Sequence, residues 1–328
     1  MKNLSSALLL GASVLLASCG GGSGESTGPV AVTPAPSPSP SPSPSPTPTP
    51  AATYKPVYDF SADFRYALIA AAVERVGTIS AGQFVQSSEG RSVDARAVDQ
   101  FLSWNRASEM IALDYGGAVS SFGPNLLASE TVGGRQWRLL QNTPYVDETL
   151  TVSATTSTAS LVSSESILLV RQARDYDVSD GTGRRVKADR YAIGGATTIA
   201  GDLPSSGQVG YRFTAISTSP TRDGAGGFGT TADAVFDFGA TNFVLDLPLV
   251  QGSTVGGNQP VRINVRLRGT YVPSTGRFEG TAESPDSDYT GTFAGAMFGP
   301  RARQIGIVFV IGSPTRQSVV GSLTGLRS

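Results

Sequence analysis

The chain contains no histidine and a single cysteine, Cys19. Without histidine or a second thiol, Ser-His-Asp and Cys-His catalysis, histidine metal sites and zinc clusters are all excluded. A lone cysteine cannot close an internal disulfide. Charge is also sparse: charged residues make up 16% of the sequence and the net charge is −1, which offers no grip for nucleic acid. Some chemistry remains formally open. Glu279, Glu283, Asp286 and Asp288 are acids of the kind a hydrolytic carboxylate pair needs, but the Ser and Pro residues among them mark a solvated turn. Asp175, Asp177 and Ser179 imitate the opening of a calcium loop, yet Asp180 stands where the loop requires glycine and Val186 where it requires a bidentate acid. Gly226-Gly227-Phe228-Gly229 lacks the lysine and following helix of a phosphate loop and reads as a turn. Arg184, Arg185, Lys187 and Arg190 read as a solvated hairpin rather than an anion site. No catalytic residue, metal or cofactor is expected, and the chain is not read as an enzyme.

What is present begins at the N-terminus. Lys2 is followed by an apolar run from Leu4 to Leu16, too short to span a bilayer but of signal-peptide length. Leu16-Ala17-Ser18-Cys19 then forms a bacterial lipobox, and it falls on the only cysteine. Cleavage before Cys19 and acylation of its thiol and new amino group would tether the mature chain by several acyl chains, enough for stable anchoring. In such lipoproteins an Asp after the cysteine resembles an inner-membrane retention signal. Gly20 stands there instead and points to the outer membrane.

The next segment is a spacer. Residues 20–28 are rich in Gly and Ser, and from Thr33 to Pro50 proline recurs in Ser-Pro and Thr-Pro repeats. Proline fixes φ and removes backbone donors, so this run favours polyproline II over a packed core. At about 3.1 Å per residue it would reach on the order of 50 Å, the length of a stalk that holds a body off a membrane. The division expected is therefore a signal peptide over 1–18, a lipidated cysteine and stalk over 19–53, and a body from 54 to 328.

In the body, the most regular pattern lies at the C-terminal end. Eight strand-like segments follow one another: Gln208–Thr218, Gly229–Phe238, Thr241–Val250, Val261–Val272, Gly276–Glu283, Asp288–Phe298, Gln304–Gly312 and Ser318–Leu326. In the fourth, Val261, Ile263, Val265 and Leu267 alternate with Arg262, Asn264, Arg266 and Arg268, so one face is apolar and the other polar. Turn residues such as Asp223-Gly224 and Pro285-Asp286 separate the segments. The pattern predicts an eight-stranded antiparallel barrel over 206–328. Phe213, Phe236, Phe243, Phe293 and Phe309 are bulky enough to fill it if they point inward. Over 54–205 a mostly β subdomain is expected, with strands at Met110–Tyr115, Gln136–Leu140, Leu150–Ala154 and Ile167–Val170. Phe64, Leu68, Ala71 and Ala72 fall on one helical stripe behind Ser61, which predicts a short helix over Ser61–Val76.

Gly291 to Gly306, reading GTFAGAMFGPRARQIG, resembles the sixth-to-seventh strand connection in the barrel domain of transferrin-binding protein B and its relatives. The chain departs from that pattern at Gln304, where an acid is preferred, and at Ile307, where a second glycine is preferred. Ala192 to Tyr211 is similar to the family's lead into the barrel, and Gly321-Ser322-Leu323-Thr324-Gly325 to its closing strand. The resemblance implies a handle-like subdomain beside the barrel and a non-enzymatic surface lipoprotein that binds a protein or nutrient carrier through its loops. Arg222, Phe228, Asn258 and Asp286 are the candidate binding residues, carried on the loops Arg222–Phe228, Gly252–Gln259 and Pro285–Ser287. A structural envelope lipoprotein and a lipocalin-like small-ligand carrier are the alternative readings. The membrane, through the anchor, is the other expected partner, and the cell surface the expected location. The anchor is directly testable: Cys19→Ala should move the protein from the washed membrane fraction to the soluble fraction, and equal retention of wild type and variant would refute lipidation.

Overall fold

A computed structural model describes residues 54–87, 91–96, 100–131, 133–156, 163–221, 224–251, 262–314 and 318–328. The lipobox and stalk lie outside these residues, as do Arg222 and Asn258. Eleven strands come first: β1 (Phe64–Ser80), β2 (Gln83–Gln86), β3 (Arg91–Arg96), β4 (Gln100–Asn105), β5 (Met110–Tyr115), β6 (Ala118–Phe122), β7 (Leu127–Thr131), β8 (Gly134–Asn142), β9 (Tyr145–Thr156), β10 (Ser163–Asp177) and β11 (Arg184–Gly195). They form one sheet in the order β6-β5-β4-β1-β11-β10-β9-β8-β7, with β2 and β3 also pairing β1. Eight more follow: β12 (Gln208–Thr221), β13 (Gly224–Asp237), β14 (Asn242–Gln251), β15 (Arg262–Val272), β16 (Arg277–Glu283), β17 (Thr290–Phe298), β18 (Gln304–Gly312) and β19 (Val319–Arg327). Each pairs antiparallel with the next, and β19 returns to β12 to close a barrel.

Side-chain alternation explains the barrel. Ile263, Val265 and Leu267 of β15 enter the inner core, while Arg262, Asn264 and Arg268 stay exposed on the other face. All five phenylalanines named above belong to that core. Phe243 stacks on Phe278 at 5.1 Å between ring centroids, and Phe236 meets Tyr271 edge-on at 5.1 Å, a geometry the ring quadrupole favours. The interior is thus filled by the barrel's own side chains. Tyr211 donates its hydroxyl to the Ala302 carbonyl at 2.5 Å near one end, and burial pushes its phenol well above the ordinary range.

The segment expected to be a helix over Ser61–Val76 is instead most of β1. The six residues Leu68–Val73 are all buried, because both faces of the strand are covered. Leu68 and Ala70 enter the handle core with Leu102, Trp104, Trp137 and Leu168, whereas Ile69, Ala71 and Val73 face the barrel. A run that is apolar on both faces loses its period of two, and such a run cannot be told from a buried helix by periodicity alone. Ser61 is no helix cap: its N–H donates to Asp59 Oδ1 at 2.9 Å in a local turn.

The barrel docks on the handle through β17, β18 and β19. Ala294, Ala296, Phe298, Val308, Val310 and Val320 point outward from the barrel and pack against Ile69, Ala71, Val73, Ile167 and Ile193. Gly299 makes the close approach possible. It has φ +72°, ψ −178°, a region open essentially to glycine alone, and an added Cβ would sit 2.5 Å from Ser166 Oγ. Its N–H donates to Ala196 O at 2.9 Å, and Thr198 Oγ1 donates to its carbonyl at 2.7 Å. Gly299→Ala should therefore destabilise the body by about 1–3 kcal/mol, measured by urea unfolding. Gly201→Ala, where an added Cβ meets nothing within 4 Å, should change stability by less than about 0.5 kcal/mol.

Candidate functional site

In an up-and-down barrel, successive hairpins alternate between the two ends. The β12–β13, β14–β15, β16–β17 and β18–β19 connections therefore share one end, and the β13–β14, β15–β16 and β17–β18 connections the other. Of the three loops singled out in the sequence, Pro285–Ser287 lies at the first end, residues 224–228 belong to β13, and Gly252–Gln259 lies outside the described residues. At the opposite end the first described residue is held in place. Tyr54 donates its hydroxyl to Asp202 Oδ2 at 3.0 Å and accepts from the Ile199 N–H at 3.2 Å, while Arg301 N–H donates to the same carboxylate oxygen at 3.0 Å. Residues 200–202 and 300–302 are short 3-10 turns, so one carboxylate ties the start of the body to the β17–β18 connection.

The handle has the same polarity. Ile69 pairs with Ile193, whose Cδ1 lies 2.8 Å from where a Cβ on Gly306 would sit, near the start of β18. Further along β1, the Ala95 N–H of β3 donates to Thr292 Oγ1, near the opposite end of β17. β1 therefore runs toward the loop end of the barrel. The turns at Ala81-Gly82, Gly116-Gly117, Thr143-Pro144 and Val178–Gly183 all follow strands that point that way. The sequence reading did not anticipate that these handle turns point the same way as the β16–β17 turn of the barrel. Their Gly and Pro residues, at Gly82, Gly116, Gly117, Pro144, Gly181 and Gly183, were the available signal.

Asp286 is exposed, and Asn264 Nδ2 of β15 donates to its Oδ2 at 2.5 Å. Beneath it, Ser284 N–H donates to Tyr289 O at 3.0 Å, and the Tyr289 ring is buried in the barrel core. The β16–β17 loop is thus a short, anchored turn that presents a carboxylate. Contrary to the expectation of a turn at Gly226–Gly229 and a loop ending at Phe228, these residues lie in β13, with Phe228 opposite Ser217 and Gln251. Of the four candidate binding residues, only these two are among the described ones. Glu279 is exposed on β16, and Glu283 lies 3.3 Å from Arg268 Nε.

The cluster Arg184, Arg185, Lys187 and Arg190 requires a correction. Arg184 does sit in an exposed hairpin, 2.6 Å from Asp180, but Arg190 is only 7% exposed. It donates to Gln172 Oε1 at 2.8 Å and to Glu74 Oε1 at 2.9 Å, and its guanidinium lies 4.3 Å from the Tyr115 ring centroid. Gln172 in turn donates to Glu148 and, at 3.1 Å, to Ser120 Oγ; Arg174 Nε lies 3.3 Å from Glu148 Oε2. Alternation decides the difference: Arg184, Arg190 and Ala192 share a face of β11, and that face passes from solvent into the handle core. On the other face, Arg185 and Lys187 both engage Asp175, at 2.5 and 3.3 Å, and Asp177 accepts the Tyr145 N–H at 3.2 Å. The acids that imitate a calcium loop are therefore occupied by cations and a backbone donor. Nearby, burial pushes the Asp189 carboxyl up, against the opposing pull of Arg171 and Arg75.

No family model matches the chain, and no curated protein matches it. Among solved structures it is similar to transferrin-binding protein B of Haemophilus parasuis Hp5, at 10% identity over 80% of this chain and 76% of that one, with a TM-score of 0.35. It is similar to the isotype 1 transferrin-binding protein B of serogroup B Neisseria meningitidis, at 12% identity over 79% of this chain and 43% of that one, with a TM-score of 0.37. A protein described as a surface lipoprotein matches at 11% identity over 79% of this chain and 98% of that one, with a TM-score of 0.36. These likenesses concern the fold, which rests here on strand register and burial.

The buried network makes a prediction about the handle. Arg190→Met should cost about 3–5 kcal/mol, because it leaves Glu74 and Gln172 without their buried partner. Arg184→Met, on the exposed hairpin, should cost less than about 1 kcal/mol. Denaturant midpoints at constant slope separate the two.

Proposed function

We propose that this protein is a surface-exposed lipoprotein of the outer membrane, anchored through Cys19, that captures a protein or nutrient-carrying partner without catalysis. One observation carries the reading: the body is polar. Tyr54, where the chain enters the body, is hydrogen-bonded at the end of the barrel opposite the β16–β17 turn that presents Asp286. A tether attached at one end presents the other outward. The resemblance of residues 291–306 to transferrin-binding protein B supports the same class of role, and in this chain those residues build the joint between handle and barrel. The filled barrel supports recognition by outer loops rather than by an internal cavity.

The soluble body, residues 54–328, serves as bait for affinity capture, and the retained partner is identified. Each of the three loops is then replaced in turn by Gly-Ser sequence. At least one graft should weaken capture about tenfold or more, the loss expected when an interface hot spot is removed, with the circular dichroism spectrum unchanged. Unchanged affinity in all three grafts would remove the barrel loops from the binding face.

A further inference from the structure

One seam of the barrel differs from the other seven. Among the described residues, registered pairing between β13 and β14 is confined to Phe228↔Gln251 and Gly229↔Val250. The shorter strands β16 and β17, by contrast, pair continuously from Arg277↔Ala296 to Glu283↔Thr290. Continuing the β13–β14 register along both strands sets Asp233 opposite Asp246 and Val235 opposite Val244, all on the outer face. Directly opposed like charges disfavour cross-strand pairing, and Pro248 of β14 has no N–H to donate. Arg212 and Arg266 hold the two carboxylates from their far sides, at 2.9 and 2.6 Å. Val235 is 64% exposed and Val244 53%, the most exposed large apolar residues of the described barrel. On the inner side the seam is closed by side chains, Phe236 against Phe243 at 5.6 Å between centroids.

We propose that this seam is a strand-addition site for an extended peptide of a partner protein, distinct from the loop end and independent of it. The strands part from the hinge at Gly229 and Val250, and the incoming backbone pairs along Asn242–Leu249. Its side chains alternate as in any strand. A basic residue turned outward lies between Asp233 and Asp246. The apolar residue two positions on covers Val235 and Val244, and the apolar residues turned inward meet Phe236 and Phe243. Charge complementarity thus selects a segment with a lysine or arginine two residues from an aliphatic side chain.

The probe is a capped peptide, Thr-Val-Lys-Ile-Val-Leu-Thr, titrated into the full chain, with hydrogen exchange followed at each amide. Binding should be saturable and should slow exchange across Asn242–Leu249. Replacing the peptide's lysine by glutamate, or combining Asp233→Asn with Asp246→Asn, should weaken binding about tenfold or more, as expected for loss of charge-assisted contacts. The peptide substitution leaves the protein intact, so its result stands even if the double variant folds poorly. Absence of binding, binding without protection at Asn242–Leu249, or indifference to the lysine would overturn the proposal. So would a dimer in solution whose seam amides are protected without peptide, which would assign the seam to a second copy of the chain.

Discussion

The constraint on which the structure depends is that β1, β11, β17, β18 and β19 must bury both faces. A barrel hides one face of each strand, and a handle sheet curled over its own core hides one face of its strands. The remaining apolar face of each has only the other to meet. Alanine at 71, 294 and 296 and glycine at 299 and 306 keep that meeting close, with Phe298 and Ile193 supplying the bulk. Because interiors are packed to near-crystalline density, the two sheets have few alternative ways to fit. The docking that hides apolar surface therefore also sets the direction in which the handle strands run along the barrel.

How legible this was depended on solvent. Where one face of a strand meets water, the sequence alternates and the element can be read. β15, with Ile263, Val265 and Leu267 against Arg262, Asn264 and Arg268, was legible in this way; β18, buried on both faces, was legible at Gln304–Gly312 instead from its short β-branched run. Where both faces are covered, the alternation disappears. Leu68–Val73 of β1 then looks helical, since small apolar residues satisfy either period. Short strands such as β2 and β7, largely exposed and pairing along one edge, carry too few buried positions to announce themselves. Asp286 was legible as a turn residue from Pro285, whereas its bond to Asn264 depends on a strand register that composition does not encode. The burial of Arg190 was hidden by its cationic neighbours, because a local charge run says nothing of where β11 passes under the β5–β6 hairpin.

Electrostatics divides along the same line. The outer belt of the barrel, with Arg212–Asp233, Asp246–Arg266 and Arg268–Glu283, consists of solvent-facing cross-strand pairs whose worth in stability is small and screened by salt. The pair Asp246–Arg266 still holds the Asp246 carboxyl below its usual range through a direct hydrogen bond. Inside the handle, Glu74, Glu148, Arg174 and Arg190 share one network with Gln172, where any unpaired group would carry a full desolvation cost. Such a network favours the strand arrangement that brings these partners together, even though Arg174 Nε and Arg190 Nε stay without a hydrogen bond in it.

A barrel with a filled core and one weakly laddered seam combines two mechanical characters. β17, β18 and β19 are continuously paired and covered on their outer face by the handle, so opening them would expose apolar surface on both sides. β13 and β14 face solvent on the outside and are held together mainly by ring contacts within, so parting them disturbs one side only. Local opening follows the fewest buried contacts and hydrogen bonds, which places it at the seam and away from the joint. The handle thus fixes the barrel where its strands must not part, and leaves the sparsely paired backbone of β13 and β14 where an incoming strand could add to it.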